Sequence, residues 1–369
     1  MKILYISKSI IPSRTANSIH VMKMCQAFAD NGHEVILLAP NIKNKFQSDV
    51  KDLFDYYGVK KNFKIIKLWH PNLKGGAILY LLTICFYLIF NKRPNLVYGR
   101  FLHGCYIAAL LKNIVTFESH EAIFSKKNHR LFFFKKLINF KNFKKLIVIS
   151  QALKNMYLKN GYLNNDKIQV AHDGADEVLD FENKINLLGS KNNLKVGYVG
   201  HLYKGRGIEI IIEIAKNIDD ITFHIVGGLD QDILYWKNYT NNLNLKNIFF
   251  YGFVSPKDTT KYRNSFDVVL APYAKEVTVE GKGDTSKFMS PIKIFEYMSC
   301  KKAIVASDLP VIKEILNEKN SVLLDCNNIN LWISTINKLR DINKRQSIAN
   351  QALADFYRYT WKNRIELVI

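Results

Sequence analysis

One turn in this chain has the composition of an anion site: Val199-Gly200-His201-Leu202-Tyr203-Lys204-Gly205-Arg206-Gly207, lying between an apolar run and a helical pattern that begins near Ile208. Gly205 and Gly207 would let the backbone approach a ligand closely, and the helix start would offer unpaired N–H groups to an anion. Lys204 and Arg206 add fixed positive charge at the same place. Glycine at a strand-to-helix turn also serves purely steric needs, so the motif alone leaves both readings open.

A second segment, Ser290-Pro291-Ile292-Lys293-Ile294-Phe295-Glu296-Tyr297-Met298, reads as another helix start. Pro291 suits a first helical turn, which leaves the N–H groups of Ile292 and Lys293 available to a phosphate. Glu296 follows one turn later, where a carboxylate can accept two hydrogen bonds from a ribose diol. It could equally face solvent as an i,i+3 partner of Lys293.

Both segments need a scaffold, and the apolar pattern supplies one. Ile3–Ser7, Val35–Ala39, Phe63–Leu68, Leu96–Tyr98, Ile114–Phe117 and Leu146–Ile149 read as strands separated by helical stretches. His20 to Asp30 places Val21, Met24, Cys25 and Phe28 on one helical face, with Gly32 as its stop. After a polar stretch from Asp176 to Asn193 the pattern restarts. Strands are expected at Leu194–Val199, Ile221–Val226, Ile248–Tyr251, Val268–Ala271, Ala303–Ala306 and Val322–Leu324. Runs that are apolar on both faces and alternate with helices predict two successive, doubly wound parallel α/β domains. Ligands in such folds lie beyond the carboxyl ends of the strands, here in the cleft between domains.

Two stretches point to a lipid surface. Gly75–Phe90 is sixteen residues without a charge, short of the roughly 20 that a spanning helix needs, so a buried or interfacial helix is expected. In Arg130–Lys145, read as a helix, Phe133, Phe134, Ile138 and Phe140 flank Lys135, Lys136, Lys141 and Lys144. That composition fits a helix in an anionic lipid interface, or a core helix with a solvated lysine face.

Composition sets outer limits. The 369 residues fit two domains, and 48% apolar content is enough for two cores. The formal charge of +21, from 53 Lys+Arg against 32 Asp+Glu, attracts phosphate groups, anionic lipid or nucleic acid, or reflects a lysine-coated surface. No nucleic-acid motif appears and the lysines are dispersed, so no nucleic-acid partner is expected. The five scattered cysteines form no metal-ligand spacing, which fits a reduced compartment. The apolar run Ile3–Ile6 is too short for a signal core.

Taken together, these segments resemble the retaining glycosyltransferases of family four. The resemblance covers nearly the whole chain. It rests on Phe28-Ala29-Asp30-Asn31-Gly32-His33-Glu34-Val35, on Glu118-Ser119-His120-Glu121, on the Gly200–Gly207 turn, on Ser290–Met298 and on Ala306-Ser307-Asp308-Leu309-Pro310. It implies the α/β GT-B fold, with two Rossmann-like doubly wound domains facing across a cleft. Residues 1–175 would bind the acceptor and 176–350 the nucleotide-sugar, with a helix over 351–369 returning to the first domain.

The resemblance also implies roles. Glu296 would hold the nucleotide ribose, Arg206 would contact the diphosphate, and His120 would lie under the donor sugar. The arginine more usual at the position of His201 is absent, and Lys293 is the local candidate for that charge. Donor binding would further involve Gly205, Gly207, Pro291 and Ile292. A glutamate common in the family eight residues before Glu296 is replaced by Phe288, and Asp284 could take over recognition of sugar hydroxyls.

The implied reaction moves a sugar from a nucleotide-sugar to a glycan or lipid-linked acceptor with retention, as in bacterial cell-surface polysaccharide or glycolipid synthesis. It needs no cofactor and no metal, without the DxD motif that holds a metal-bound diphosphate in the other major transferase fold. The expected location is the cytoplasm, peripheral to the inner face of an anionic membrane. The alternatives are a nucleotide-sugar epimerase of the same fold, whose acid and base carboxylates cannot be placed here, and a basic nucleic-acid-binding protein.

Overall fold

The computed structural model describes residues 1–42, 50–125, 129–278 and 283–369. It divides into two compact units, the first comprising Met1–Asp173 with Trp361–Ile369 and the second Gly174–Thr360.

The first unit alternates strand and helix. It runs β1 (Lys2–Ile6), α1 (Ala16–Asp30), β2 (Glu34–Asn41), α2 (Leu53–Tyr57), β3 (Lys64–Trp69), α3 (Gly76–Phe90) and β4 (Leu96–Gly99). It continues with α4 (Leu102–Leu110), β5 (Val115–Ser119), α5 (His129–Ile138), β6 (Phe143–Val148), α6 (Gln151–Lys159) and β7 (Ile168–Val170). The seven strands pair in parallel in the order β3-β2-β1-β4-β5-β6-β7. The order reverses between β1 and β4, so the loops after these strands open a crevice at their carboxyl ends.

Local chemistry explains the element ends. The Thr15 side chain accepts from Ser18 N–H at the start of α1. At its end, Gly32 N–H donates to Ala29 O and His33 N–H to Phe28 O, a Schellman closure with Gly32 at φ +79°.

The second unit restarts the pattern with β8 (Leu194–Val199), α7 (Ile208–Ala215), β9 (Ile221–Val226), α8 (Asp230–Asn242), β10 (Ile248–Gly252) and α9 (Thr259–Ser265). There follow β11 (Val268–Ala271), α10 (Ile292–Ser299), β12 (Ala303–Ser307), β13 (Val322–Leu324), α11 (Ile329–Lys338) and α12 (Ile342–Phe356). Its parallel sheet has the order β10-β9-β8-β11-β12-β13, which reverses between β8 and β11. Trp332, Ile212 and Phe223 lie at the centre of its core.

The last helix, α13 (Trp361–Val368), belongs to the first unit and packs on α1. Trp361, Ile365 and Val368 join the core of that unit beside Val21, Met24 and Phe28. Residues 351–360, assigned above to the returning segment, stay with the second unit, because α12 runs unbroken to Phe356 and Ala352 and Phe356 are buried. The polar stretch Asp176–Asn193 forms no regular element but is tied down: Ile185 N–H donates to Ser265 Oγ, Leu188 N–H to Tyr251 Oη and Asn264 Nδ2 to Asp180 O.

Arg130–Lys145 is not one helix. α5 ends at Ile138, Asn142 Nδ2 caps the carbonyl of Ala109, and Phe143 opens β6. Phe133, Phe134 and Ile138 lie on α5 as expected, and only Phe143 to Lys145 of the segment belong to a strand, in which Phe143 and Leu146 to Val148 are buried in the sheet. Among the described residues no helix is long and apolar enough to cross a membrane.

Candidate functional site: two clusters at the sheet switch points

In the second unit the expected donor residues gather where the strand order reverses. Gly205 and Gly207 have φ of +83° and +86°, a conformation that L side chains rarely adopt. A Cβ on Gly205 would stand 2.1 Å from Glu276 O, and one on Gly207 1.8 Å from Pro272 O. These glycines are therefore demanded by the closeness of the loop after β8 to the loop after β11. That packing carries Arg206 to Tyr273, with the guanidinium carbon 5.6 Å from the ring centroid.

Helix α10 is pinned over the same edge. Tyr297 Oη accepts from Val199 N–H at 2.9 Å and donates to Leu270 O at 3.3 Å, joining the ends of β8 and β11. Pro291 stands at the N-cap rather than in the first turn, and no side chain caps this helix. Helix α7 likewise starts without a side-chain cap. Neither N-cap residue thus offers a side-chain hydrogen bond to the first N–H groups of its helix.

Lys293 reaches back over Tyr198, with Nζ 3.7 Å from that ring centroid and 5.3 Å from Tyr273. Its Nζ is buried and has no hydrogen-bond partner among the described residues; the same holds for Arg206 Nε. Burial, joined by Arg206, pulls the Lys293 ammonium well below its ordinary range, and Glu296 opposes this. Two basic side chains are therefore held close together beside the starts of two helices.

Glu296 is not a solvent-facing partner of Lys293. Its Oε2 lies 3.1 Å from Nη1 of Arg263, a residue only 5% exposed. The sequence reading missed Arg263, which gives no local signal on the short helix α9. Asp284 Oδ1 accepts from Val277 N–H and Ser286 N–H, so one of its oxygens shapes the loop. A DxD triplet does occur, Asp230-Gln231-Asp232, but it forms the first turn of α8, where acidic side chains complement the helix dipole.

The first unit builds a different cluster. His120 follows β5, and its Nε2 lies 2.6 Å from Glu118 Oε1. Glu118 is fully buried and receives three more groups: Arg364 Nη2 at 2.7 Å, the Tyr98 hydroxyl on Oε2, and His20 Nε2 at 3.1 Å. His20 also approaches Asp173 Oδ1 at 3.3 Å and meets the rings of His120 and Trp361 edge-on.

Burial pushes the Glu118 carboxyl up, but Arg364 and the two histidines outweigh it and hold it well below the usual carboxylate range. Burial, with help from Arg100, lowers His120 to about 3 against the pull of Glu118, so the ring is neutral at neutral pH. The donor atoms of His20, Glu118, His120 and Asp173 all lie within 4.8 Å of one another, a spacing that could hold a cation. The Arg364 guanidinium already supplies the positive charge there.

Sequence reasoning placed His120 but not its supports. Two signals were present: Glu118 lies within a strand buried on both faces, and Arg364 sits on the apolar face of α13 between Trp361 and Ile365.

Comparison with known proteins bears on the family and the fold. Residues 18–178 match the family described as Glycosyltransferase Family 4, and residues 193–341 match Glycosyl transferases group 1. An uncharacterized glycosyltransferase of Methanocaldococcus jannaschii is 25% identical over 91% of this chain and 89% of its own. The Anabaena protein HepE, solved in complex with UDP-glucose, superposes with a TM-score of 0.71 at 17% identity, covering 100% of this chain and 98% of its own. Sucrose-phosphate synthase from Thermosynechococcus elongatus gives 0.75 at 15% identity, over 99% and 96% of the two chains. With both halves matched and the fold shared, the chain belongs to family four of the glycosyltransferases and has their GT-B fold.

Proposed function

We propose that the protein transfers a sugar from a nucleotide-sugar to a glycan or lipid-linked acceptor with retention of configuration, in the assembly of a bacterial surface polysaccharide or glycolipid. The observation that carries the donor reading is the pair Arg206 and Lys293. Among the described residues their Nε and Nζ are buried without hydrogen-bond partners, while the nearby carboxylate of Glu296 is already paired with Arg263. Such an excess of positive charge suits an anion, and the uncapped starts of α7 and α10 supply further donors.

The barrier in this reaction is cleavage of the bond between anomeric carbon and diphosphate. Negative charge grows on the departing oxygen, so fixed donors there stabilise the transition state. Arg206, Lys293 and the N–H groups of Ile292 and Lys293 would serve this role without a metal, and the leaving phosphate would take the acceptor proton. Glu296 would accept the ribose hydroxyls, Asp284 would use its second oxygen for a sugar hydroxyl, and His120 would face the donor sugar. Gly205, Gly207 and Pro291 shape the two turns. The first unit, residues 1–173, would bind the acceptor.

Peripheral contact of the first unit with the inner face of an anionic membrane belongs to the same proposal. Ile78, Leu82, Phe86, Ile89 and Phe90 form an exposed stripe on α3, and Trp69 and Leu73 are exposed before it. Residues 56–117 contain no Asp or Glu, while Lys74, Lys92 and Arg93 are exposed around the stripe. A second copy of the chain on this face would set like charges together, whereas anionic lipid would not.

The test is release of free nucleotide from a panel containing UDP-glucose, UDP-galactose, UDP-N-acetylglucosamine and GDP-mannose, with and without a lipid-linked acceptor. Acceptor-stimulated release from one donor, giving a product of unchanged anomeric configuration, is expected. Inversion, or interconversion of the donors without transfer, would overturn the reading.

A further inference from the structure

We infer that Arg364 and Glu118 are positioning residues that fix His120 as a neutral imidazole with its proton on Nε2, so that Nδ1 is presented to a hydroxyl of the bound sugar as a hydrogen-bond acceptor. This rests on the reading of His120 as a residue facing the donor sugar.

An ionised carboxylate only accepts hydrogen bonds. Glu118 Oε1, 2.6 Å from His120 Nε2, therefore requires the proton on that nitrogen. A fully buried carboxylate stays ionised only with a counter-charge beside it. Arg364 provides it at 2.7 Å, and the Tyr98 hydroxyl covers the other oxygen. Arg364 is itself immobilised. Its Nε donates to His172 O at 2.8 Å, Nη2 also reaches Ala171 O at 3.1 Å, and Nη1 lies 3.0 Å from Met24 Sδ.

The other groups facing His120 reinforce the same state. Arg100 and burial disfavour a second proton on the ring, against the pull of Glu118 and Asp173. His20 packs edge-on at 4.8 Å between ring centroids and restricts rotation of the imidazole. Nδ1 makes no hydrogen bond to a described residue, and the side chain keeps 14% of its surface exposed. A neutral acceptor suits a sugar that gains positive charge as the diphosphate leaves, because an imidazolium there would oppose that charge.

The experiment uses two-bond nitrogen–proton correlation spectra of the full-length protein with isotope-labelled histidine, near pH 7. Wild type should show His120 as a single neutral tautomer with the proton on Nε2. In Glu118→Gln, whose amide can donate or accept, the tautomers should mix. Steady-state kinetics on whichever panel donor is turned over should show kcat down about a hundredfold in Glu118→Gln, with KM moved less than about threefold. Arg364→Lys, which keeps the charge but loses the fork, should retain more turnover than Arg364→Met.

An imidazolium or an Nδ1–H tautomer in wild type, or an unchanged tautomer in Glu118→Gln, overturns the inference. The spectra decide it whether or not the panel contains the donor. They also decide it if Arg364→Met fails to fold. His120→Ala separates the two readings: full turnover in that variant removes His120 from the donor site but leaves the spectral result on positioning intact.

Discussion

Arg364 Nη2 and Glu118 Oε1 lie 2.7 Å apart although 246 positions separate the two residues in the chain. The guanidinium side chain is 2% exposed and the carboxylate is fully buried. This contact ties the last helix to the end of β5 in the middle of the first unit.

Breaking the pair by removing one partner leaves an uncompensated buried charge. Arg364→Met should therefore destabilise the first unit by roughly 3–5 kcal/mol. Adding Glu118→Gln to Arg364→Met should recover part of the loss, because the orphaned charge disappears with it. Urea unfolding followed by tryptophan fluorescence measures both; a loss under about 1 kcal/mol in the single variant would mean that the pair is dispensable.

Protonation of His120 should couple to stability. Its folded value, lowered to about 3, lies below that of the unfolded chain, so between these values the unfolded state binds the extra proton. Stability from this group is complete above about pH 6.5 and declines as pH falls toward 3. Glu118 adds to the trend below about pH 4.5, where the carboxyl of the unfolded chain takes up a proton that the folded one does not. Unfolding free energies near pH 7 and pH 5 should differ more in wild type than in His120→Asn, and equal differences would contradict the shift.

Glu296→Ala should weaken donor binding, because a two-point contact to a ribose diol is lost. Charge-assisted hydrogen bonds of about 1.5–3 kcal/mol translate to roughly ten- to a hundredfold in affinity. The same change orphans the buried Arg263, so Glu296→Gln is the cleaner variant for titration calorimetry. Affinity within about twofold of wild type in Glu296→Gln would confine Glu296 to its pairing with Arg263.

Arg206→Ala and Lys293→Met should depress kcat more than they raise KM, since both charges matter most as the phosphate departs. Lys293→Met keeps the length of the stem over Tyr198, so the packing at that ring should survive. A rise confined to KM would make both residues ground-state binders.

Vesicle co-sedimentation tests the membrane contact. Wild type should bind anionic vesicles at low salt and detach as salt screens the charges. Changing Ile78, Leu82 and Phe86 to Ser should abolish binding to a greater extent than changing Lys135, Lys136 and Lys141 to Gln. Lys144 is a poor probe, because its Nζ donates to Ile369 O. Binding that is indifferent to α3 would point away from lipid and toward a soluble acceptor.

The sequence by itself determined the periodic features. Strands such as Leu194–Val199, Ile221–Val226 and Val268–Ala271 were fully legible because a strand covered on both faces must be a short continuous apolar run. The stop at Gly32 was legible because a left-handed residue after a helix favours glycine. The resemblance also brought His120, Arg206, Lys293 and Glu296 forward as local motifs. β7 escaped, since three residues carry too little pattern, and Arg130–Lys145 was legible only as far as Ile138, since Phe143-Lys144-Lys145 carries the same Lys/Phe composition on into β6. What only the tertiary structure decided is which charges meet. Arg263 pairs with Glu296, and Arg364 pairs with Glu118. No periodicity records such pairings, because a buried charge is matched by whichever element the fold lays against it, and the free energy of that match depends on distance in space rather than along the chain.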